Sequence, residues 1–114
     1  MLGKHYRLTK KKDFEKIFKE GKGLRKEFLA VKVRENQLKE SRFGFVVSQK
    51  ISKKAVVRNK IKRRLREIVR LKINHIKKGF DVVLIALPGI ETRKFKEIDN
   101  LVEEIFKKSK ILSI

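Results

Sequence analysis

The spacing of apolar residues changes several times along the chain, and each change marks an element. In "TKKKDFEKIFKEGKG", Phe14, Ile17 and Phe18 fall at i, i+3 and i+4, the spacing of one helical face. Thr9 is the expected N-cap, the helix runs to about Glu20, and Gly21 and Gly23 lie just past its end. "EFLAVKV" (Glu27 to Val33) and "RFGFVVS" (Arg42 to Ser48) have strand character on either side of the turn-like "ENQLKES", which predicts an antiparallel hairpin. Gly44 inside the second run predicts a bulge or the close approach of another backbone. A second helix is expected from about Ala55 to Ile76, with Gly79 beyond it. "FDVVLIAL" (Phe80 to Leu87) is almost continuously apolar, as in a strand buried on both faces, and Pro88-Gly89 turns the chain. Phe95, Ile98, Leu101, Val102, Ile105 and Phe106 then recur with a period of about 3.6, predicting an amphipathic helix from about Lys94 to Lys108.

Helix, strand, strand, helix, strand, helix is the order of a small α/β or α+β sandwich with helices packed on one sheet. There is no internal repeat, no Gly/Ser-rich linker and a single Pro, so residues 1–114 read as one domain.

Charge changes the picture most. Lys and Arg total 33 against 13 Asp and Glu, a net charge of +20. Such a chain repels itself, and a polyanion relieves the repulsion. A membrane binder would concentrate its apolar residues in one free amphipathic segment. Here they are spread over several core-like elements, so nucleic acid is the expected partner and a membrane is not. No run of about 18 apolar residues is present to span a bilayer. "MLGKHYRLTK" lacks the apolar core and cleavage site of a secretory signal, and there is no Cys for disulfides or thiolate metal sites, which fits a cytoplasmic protein. Asp13, Asp81 and Asp99 are scattered over different elements and His5 lies far from His75, so no catalytic side chain is expected.

The stretch "VVRNKIKRRLREIVR" sets Arg58, Lys60, Lys62, Arg63, Arg64, Arg66 and Arg70 against the single Glu67. With Val57 at zero and about 100° per residue, Val57, Ile68, Ile61, Leu65 and Val69 fall between roughly 0° and 120°, the stripe that faces the sheet. Arg58, Lys62, Arg66, Arg70 and Arg63 fall between roughly 100° and 240°, and Asn59 lands near 200°, inside the basic arc. A solvated face usually mixes signs to gain i,i+4 pairs; this one stacks Arg58, Lys62, Arg66 and Arg70 at successive i+4 steps. Mid-helix Asn also costs several tenths of a kcal/mol relative to Ala. Both costs make sense if phosphates bind there, since arginine forks to phosphate oxygens and an amide can donate to a phosphate or 2′-OH, or hold a metal-bound water.

"KKAVVRNKIKRRLREIVR" resembles the signature of the bacterial ribonuclease P protein family, Arg-Asn-Arg followed by x-Lys-Arg-x-x-Arg. Arg58 and Asn59 match its first two positions, Lys62, Arg63 and Arg66 the later basic ones, and Lys60 departs where Arg is usual. "GFVVSQKISKKAVV", "KKDFEKIFKEGK" and "GFDVVLIAL" are similar to the same family in order and at matching spacing.

The resemblance implies an αβββαβα sandwich of α+β class on a mostly antiparallel sheet, with one further short strand placed near Lys50 and Ile51 and a left-handed βαβ crossover through the basic helix. It implies a protein that does not itself cut RNA. A catalytic RNA with Mg²⁺, held mainly by the RNA, removes the 5′ leader of precursor tRNA. The protein, as a monomer with one copy per RNA, would dock that RNA through Arg58, Asn59, Lys60, Lys62, Arg63 and Arg66, with Arg70, Lys53 and Lys54 beside them and any metal near the protein close to Asn59. Phe14, Phe18, Phe28, Val31 and Lys32, flanked by Lys10 and Lys50, would line a cleft for the leader, although ordinary core packing of Phe14 and Phe18 fits their spacing equally well. A ribosomal or other structural RNA-binding protein, or a DNA-compacting one, is the alternative compatible with the charge alone.

Overall fold

The chain order in the computed structural model, which describes residue 3 and residues 6–113, is helix, three strands, helix, strand, helix. These are α1 (Lys11–Glu20), β1 (Lys22–Lys26), β2 (Leu29–Glu35), β3 (Arg42–Val46), α2 (Ala55–Lys72), β4 (Phe80–Ala86) and α3 (Phe95–Lys108). Short 3₁₀ turns follow α2 at Ile73–His75 and precede α3 at Ile90–Thr92. The αβββαβα order agrees with expectation, but four details differ.

The antiparallel hairpin expected from "EFLAVKV" and "RFGFVVS" does not form. The sheet order is β1-β2-β4-β3, so β4 lies between those two strands. It pairs antiparallel with β2, from Leu29↔Ala86 to Glu35↔Phe80, and parallel with β3, from Arg42↔Asp81 to Val46↔Ile85. The chain therefore crosses from β3 to its parallel neighbour through α2. The most continuous apolar strand takes the centre because only there are both its faces covered; Val82, Val83 and Leu84 are fully buried.

The additional strand is β1, not the Lys50–Ile51 region, which forms a turn. β1 is a sheet edge whose sequence, KGLRK, carries one bulky apolar residue, so no hydrophobic alternation announces it. It makes the hairpin with β2 from Lys22↔Val33 to Lys26↔Leu29, and Glu27 in the connection has φ of 53°.

At α1, Thr9 is exposed and the helix begins one residue later with Lys10 as N-cap and no side-chain cap. Asp13 in the first turn supplies the negative charge that favours a helix N-terminus.

Helices cover both faces of the sheet. Leu29, Val31, Phe43, Val82, Leu84 and Ala86 join Ile61, Leu65, Ile68 and Val69 of α2 and Ile98, Leu101, Val102, Ile105 and Phe106 of α3 in the larger core. The α2 stripe matches the wheel, and each fully buried aliphatic side chain contributes about 1.5–3 kcal/mol. On the opposite face Ile17 of α1 packs with Leu8 and Val83, with Phe14, Val46 and Ile85 around them. Gly44 lies on this second face, and it is a side chain that approaches it. A Cβ there would stand 2.5 Å from Cε1 of Phe14. The glycine makes room for a ring, not for a neighbouring backbone.

Candidate nucleic-acid interface

The basic arc of α2 begins before its first turn. Lys53 and Lys54 are exposed, Lys54 is the N-cap without a side-chain cap, and the first turn holds no acidic residue. The positive end of the helix dipole is thus left uncompensated and adds to the side-chain charge. Arg58 is half-buried and donates from Nη1 to the Ser52 carbonyl at 2.9 Å, which holds its guanidinium against the preceding loop. Asn59, Lys60 and Arg63 are exposed and Lys62 is half-buried; none of these four has a side-chain hydrogen bond or ion pair with another described residue. Lys60, at about 300° on the same wheel, stands apart from the arc centred on Asn59. Arg66 is half-buried, its guanidinium 5.8 Å from the centroid of Phe45 on β3. Arg70 differs from the others. Its Nε donates to Glu67 at 3.0 Å, a bond that holds the Glu67 carboxyl below its usual range and offsets part of the charge of Arg70.

On the α1 side of the sheet, Phe14 and Phe18 part company. Phe14 turns inward onto Gly44, whereas Phe18 is 41% exposed. Lys32 of β2 donates to the Phe18 carbonyl at 3.0 Å and holds its ammonium 5.9 Å from the Phe18 ring centroid. Lys10 and Lys50 are exposed. An open aromatic face beside a cation is therefore present at the end of α1, a pairing suited to an unstacked base next to its phosphate.

Phe28 and Val31 do not belong to that surface. Both are buried in the larger core, Val31 at 1% exposure and Phe28 beneath the guanidinium of Arg93 at 5.0 Å. The reason is strand parity: Val31 alternates with Lys32, and Lys32 is the residue that reaches α1. Ala30, two positions before Lys32, shares its face.

The acidic residues are less scattered than their sequence positions suggest. Arg42 donates from Nε and Nη2 to the two carboxylate oxygens of Asp81 at 2.9 and 2.8 Å, and from Nη1 to Asp13 at 3.3 Å. Asn36 adds a bond to Asp81 at 2.8 Å. The Asp81 bonds push the Arg42 guanidinium above its ordinary pKa. This network ties α1 to β3 and β4 and so fixes the floor on which Phe14 rests. Sequence reasoning missed it; an Arg and an Asp 39 positions apart give no local signal. Asp99 pairs with Lys72 on α2. His75 is exposed on the turn after α2, and His5 lies outside the described residues. Among the described residues no group of three or more His, Asp or Glu is placed to hold a metal ion.

A cavity of about 880 Å³ lies between the β1–β2 edge and the end of α3. Glu20 and Glu35 alternate there with Lys22, Arg34, Lys108 and Lys110, a mixed-sign lining unlike the single-sign arc of α2. No helix among the described residues is long and apolar enough to cross a membrane.

Known proteins are similar to this chain over most of its length. Residues 2–110 match the family model described as Ribonuclease P. The ribonuclease P protein component of Syntrophomonas wolfei is 38% identical over 109 residues, covering 96% of this chain and 91% of its own. That of Thermotoga maritima is 45% identical over 93 residues, covering 82% and 78%. Among solved structures, the Staphylococcus aureus RNase P protein superimposes with a TM-score of 0.87 at 32% identity, covering 94% of this chain and 97% of that one. The Thermotoga maritima RNase P protein gives 0.82 at 39% identity, covering 90% and 96%. With sequence, fold and topology in agreement over nearly its full length, the chain belongs to the ribonuclease P protein family.

Proposed function

We propose that this protein is the RNA-binding subunit of a ribonuclease P, docking the catalytic RNA with the α2 arc and holding the 5′ leader of precursor tRNA beside α1. The observation that carries the first half is the run Asn59, Lys62 and Arg63, unpartnered within the described chain, between Arg58 and Arg66, whose guanidinium groups are positioned by the Ser52 carbonyl and the Phe45 ring without being neutralised. Cations held in place but not neutralised lose little entropy on meeting phosphates. The exposed Phe18 ring beside Lys32 supports the second half.

In this reading one protein serves one RNA, and Mg²⁺ is held by the RNA. The described side chains do not offer a carboxylate set for it, and Asn59 at most reaches a metal-bound water. The protein lowers the electrostatic cost of bringing two RNAs together and adds leader contacts; the scissile bond is the RNA's to cleave. Affinity of the reconstituted holoenzyme for pre-tRNA should rise as the leader is lengthened through the first several nucleotides, and Phe18→Ala should flatten that rise. Affinity independent of leader length in the native holoenzyme would remove the leader assignment.

A further inference from the structure

Two arginines have a buried Nε–H that no acceptor among the described residues reaches, Arg7 and Arg66. Those two nitrogens face inward, but both residues are only half-buried and neither makes a side-chain hydrogen bond or ion pair with another described residue, so the outer N–H groups of two guanidiniums are left for an acceptor from outside the chain.

The backbone brings them to the same place. The segment before α1 lies along the free edge of β3: the Leu8 N–H donates to the Phe43 carbonyl at 2.8 Å, and Arg7 bridges Phe43 in parallel register. Leu8 packs on the α1 side with Ile17 and Val83, so alternation sends Arg7 to the opposite face, that of Phe43 and Phe45. Arg66 arrives on this face from α2, its guanidinium over Phe45. Phe43 and Phe45 are two residues apart on one strand, a separation of about 7 Å, which the length of an arginine side chain readily closes.

We propose that Arg7 and Arg66 form a two-arginine fork at the β3 edge that binds one backbone phosphate of RNA. The inference rests on the reading that RNA lies on the α2 arc, and it extends that surface off the helix onto the N-terminal segment, where the α2 motif gives no hint of it. Such a fork sets the roll of α2 relative to the RNA, because one of its prongs is anchored to the sheet.

The test is a salt titration of binding for the native protein, Arg7→Ala, Arg66→Ala and the double variant. One arm uses the ribonuclease P catalytic RNA alone; the other uses the reconstituted holoenzyme with pre-tRNA. Each single variant should lose about tenfold in affinity and lower the slope of log K against log salt by about 0.7–0.9, one phosphate's worth. The double variant should lose little beyond either single one, and the arm in which this coupling appears identifies which RNA supplies the phosphate. Arg7→Lys should restore the slope but not the full affinity, with unchanged thermal unfolding, which separates a lost fork from damaged packing. Additive losses in the double variant would place the arginines on separate phosphates and overturn the fork. An effect of Arg66→Ala with none from Arg7→Ala would overturn it while leaving the α2 surface intact, and no effect from either would remove both.

Discussion

Gly44 sets how closely α1 approaches the sheet. A methyl group there meets the Phe14 ring at 2.5 and 2.6 Å, so the ring, and the helix carrying it, must move. Gly44→Ala is expected to cost about 1–3 kcal/mol, the usual range for overpacking, seen as a lower urea midpoint. It should also weaken binding of pre-tRNA more than of mature tRNA, because the surface beside Phe18 shifts with α1; equal losses would confine the effect to the core. Arg42 and Asp81 act at the same scale. Asp81 is 1% exposed, and Asp81→Asn leaves the Arg42 guanidinium facing a neutral partner, so a loss of about 3–5 kcal/mol is expected by urea unfolding. A loss below about 1 kcal/mol would mean that Asp13 alone suffices to hold Arg42. Neither feature could be read from sequence in full. Gly44 pointed to a bulge or a neighbouring backbone, not to the Phe14 ring that lies there, and a salt bridge between distant strands has no periodicity to betray it.

Among the elements, α2 was the most legible. Its period of about 3.6 separates two faces by composition alone, and the buried set Ile61, Leu65, Ile68 and Val69 is the stripe the wheel marks. Asn59 follows from the same wheel: it is exposed and within the basic arc. Asn59→Ala should raise thermal stability slightly, by a few tenths of a kcal/mol, while weakening binding to the catalytic RNA. Gains in both would show that the asparagine is not there for RNA. Strand pairing was less legible, because apolar runs reveal that a strand is buried but not which strand lies beside it. That is why β4 was not expected between β2 and β3, and why β1, with Leu24 as its one bulky apolar residue, went unseen. The misplacement of Val31 is of a different kind. The family resemblance assigns Val31 to the cleft, whereas in β2 it alternates with the half-buried Lys32, and a shift of one position exchanges the core for the surface.

For the molecule as a whole, a net charge of +20 on 114 residues governs behaviour more than any single contact. It predicts RNA binding that falls steeply with salt, and it predicts acid sensitivity. Glu67, Glu97 and Glu104 are each held below their ordinary value of 4.5, by Arg70, by the Lys94 N–H and by Lys26 respectively. Carboxyls whose folded pKa is depressed add stability above their unfolded pKa and lose it as pH falls through the folded value. Thermal stability should therefore decline below about pH 4.5, and Glu97→Gln with Glu104→Gln should make the decline shallower. A melting temperature constant down to pH 3 would contradict this. The charge itself was plain in the composition; which RNA it meets was not, because phosphates look alike to a surface of arginines.

The central claim is that the protein is the partner of a catalytic RNA, and the most direct measurement is leader removal by that RNA in reconstitution at low Mg²⁺. The account predicts that the RNA alone is inactive there, that the protein restores cleavage at the mature 5′ end, and that Arg58→Ala combined with Arg66→Ala abolishes the rescue while Lys39→Ala, in the β2–β3 turn, does not. Failure of the native protein to restore cleavage, together with co-purification on ribosomal particles, would contradict it.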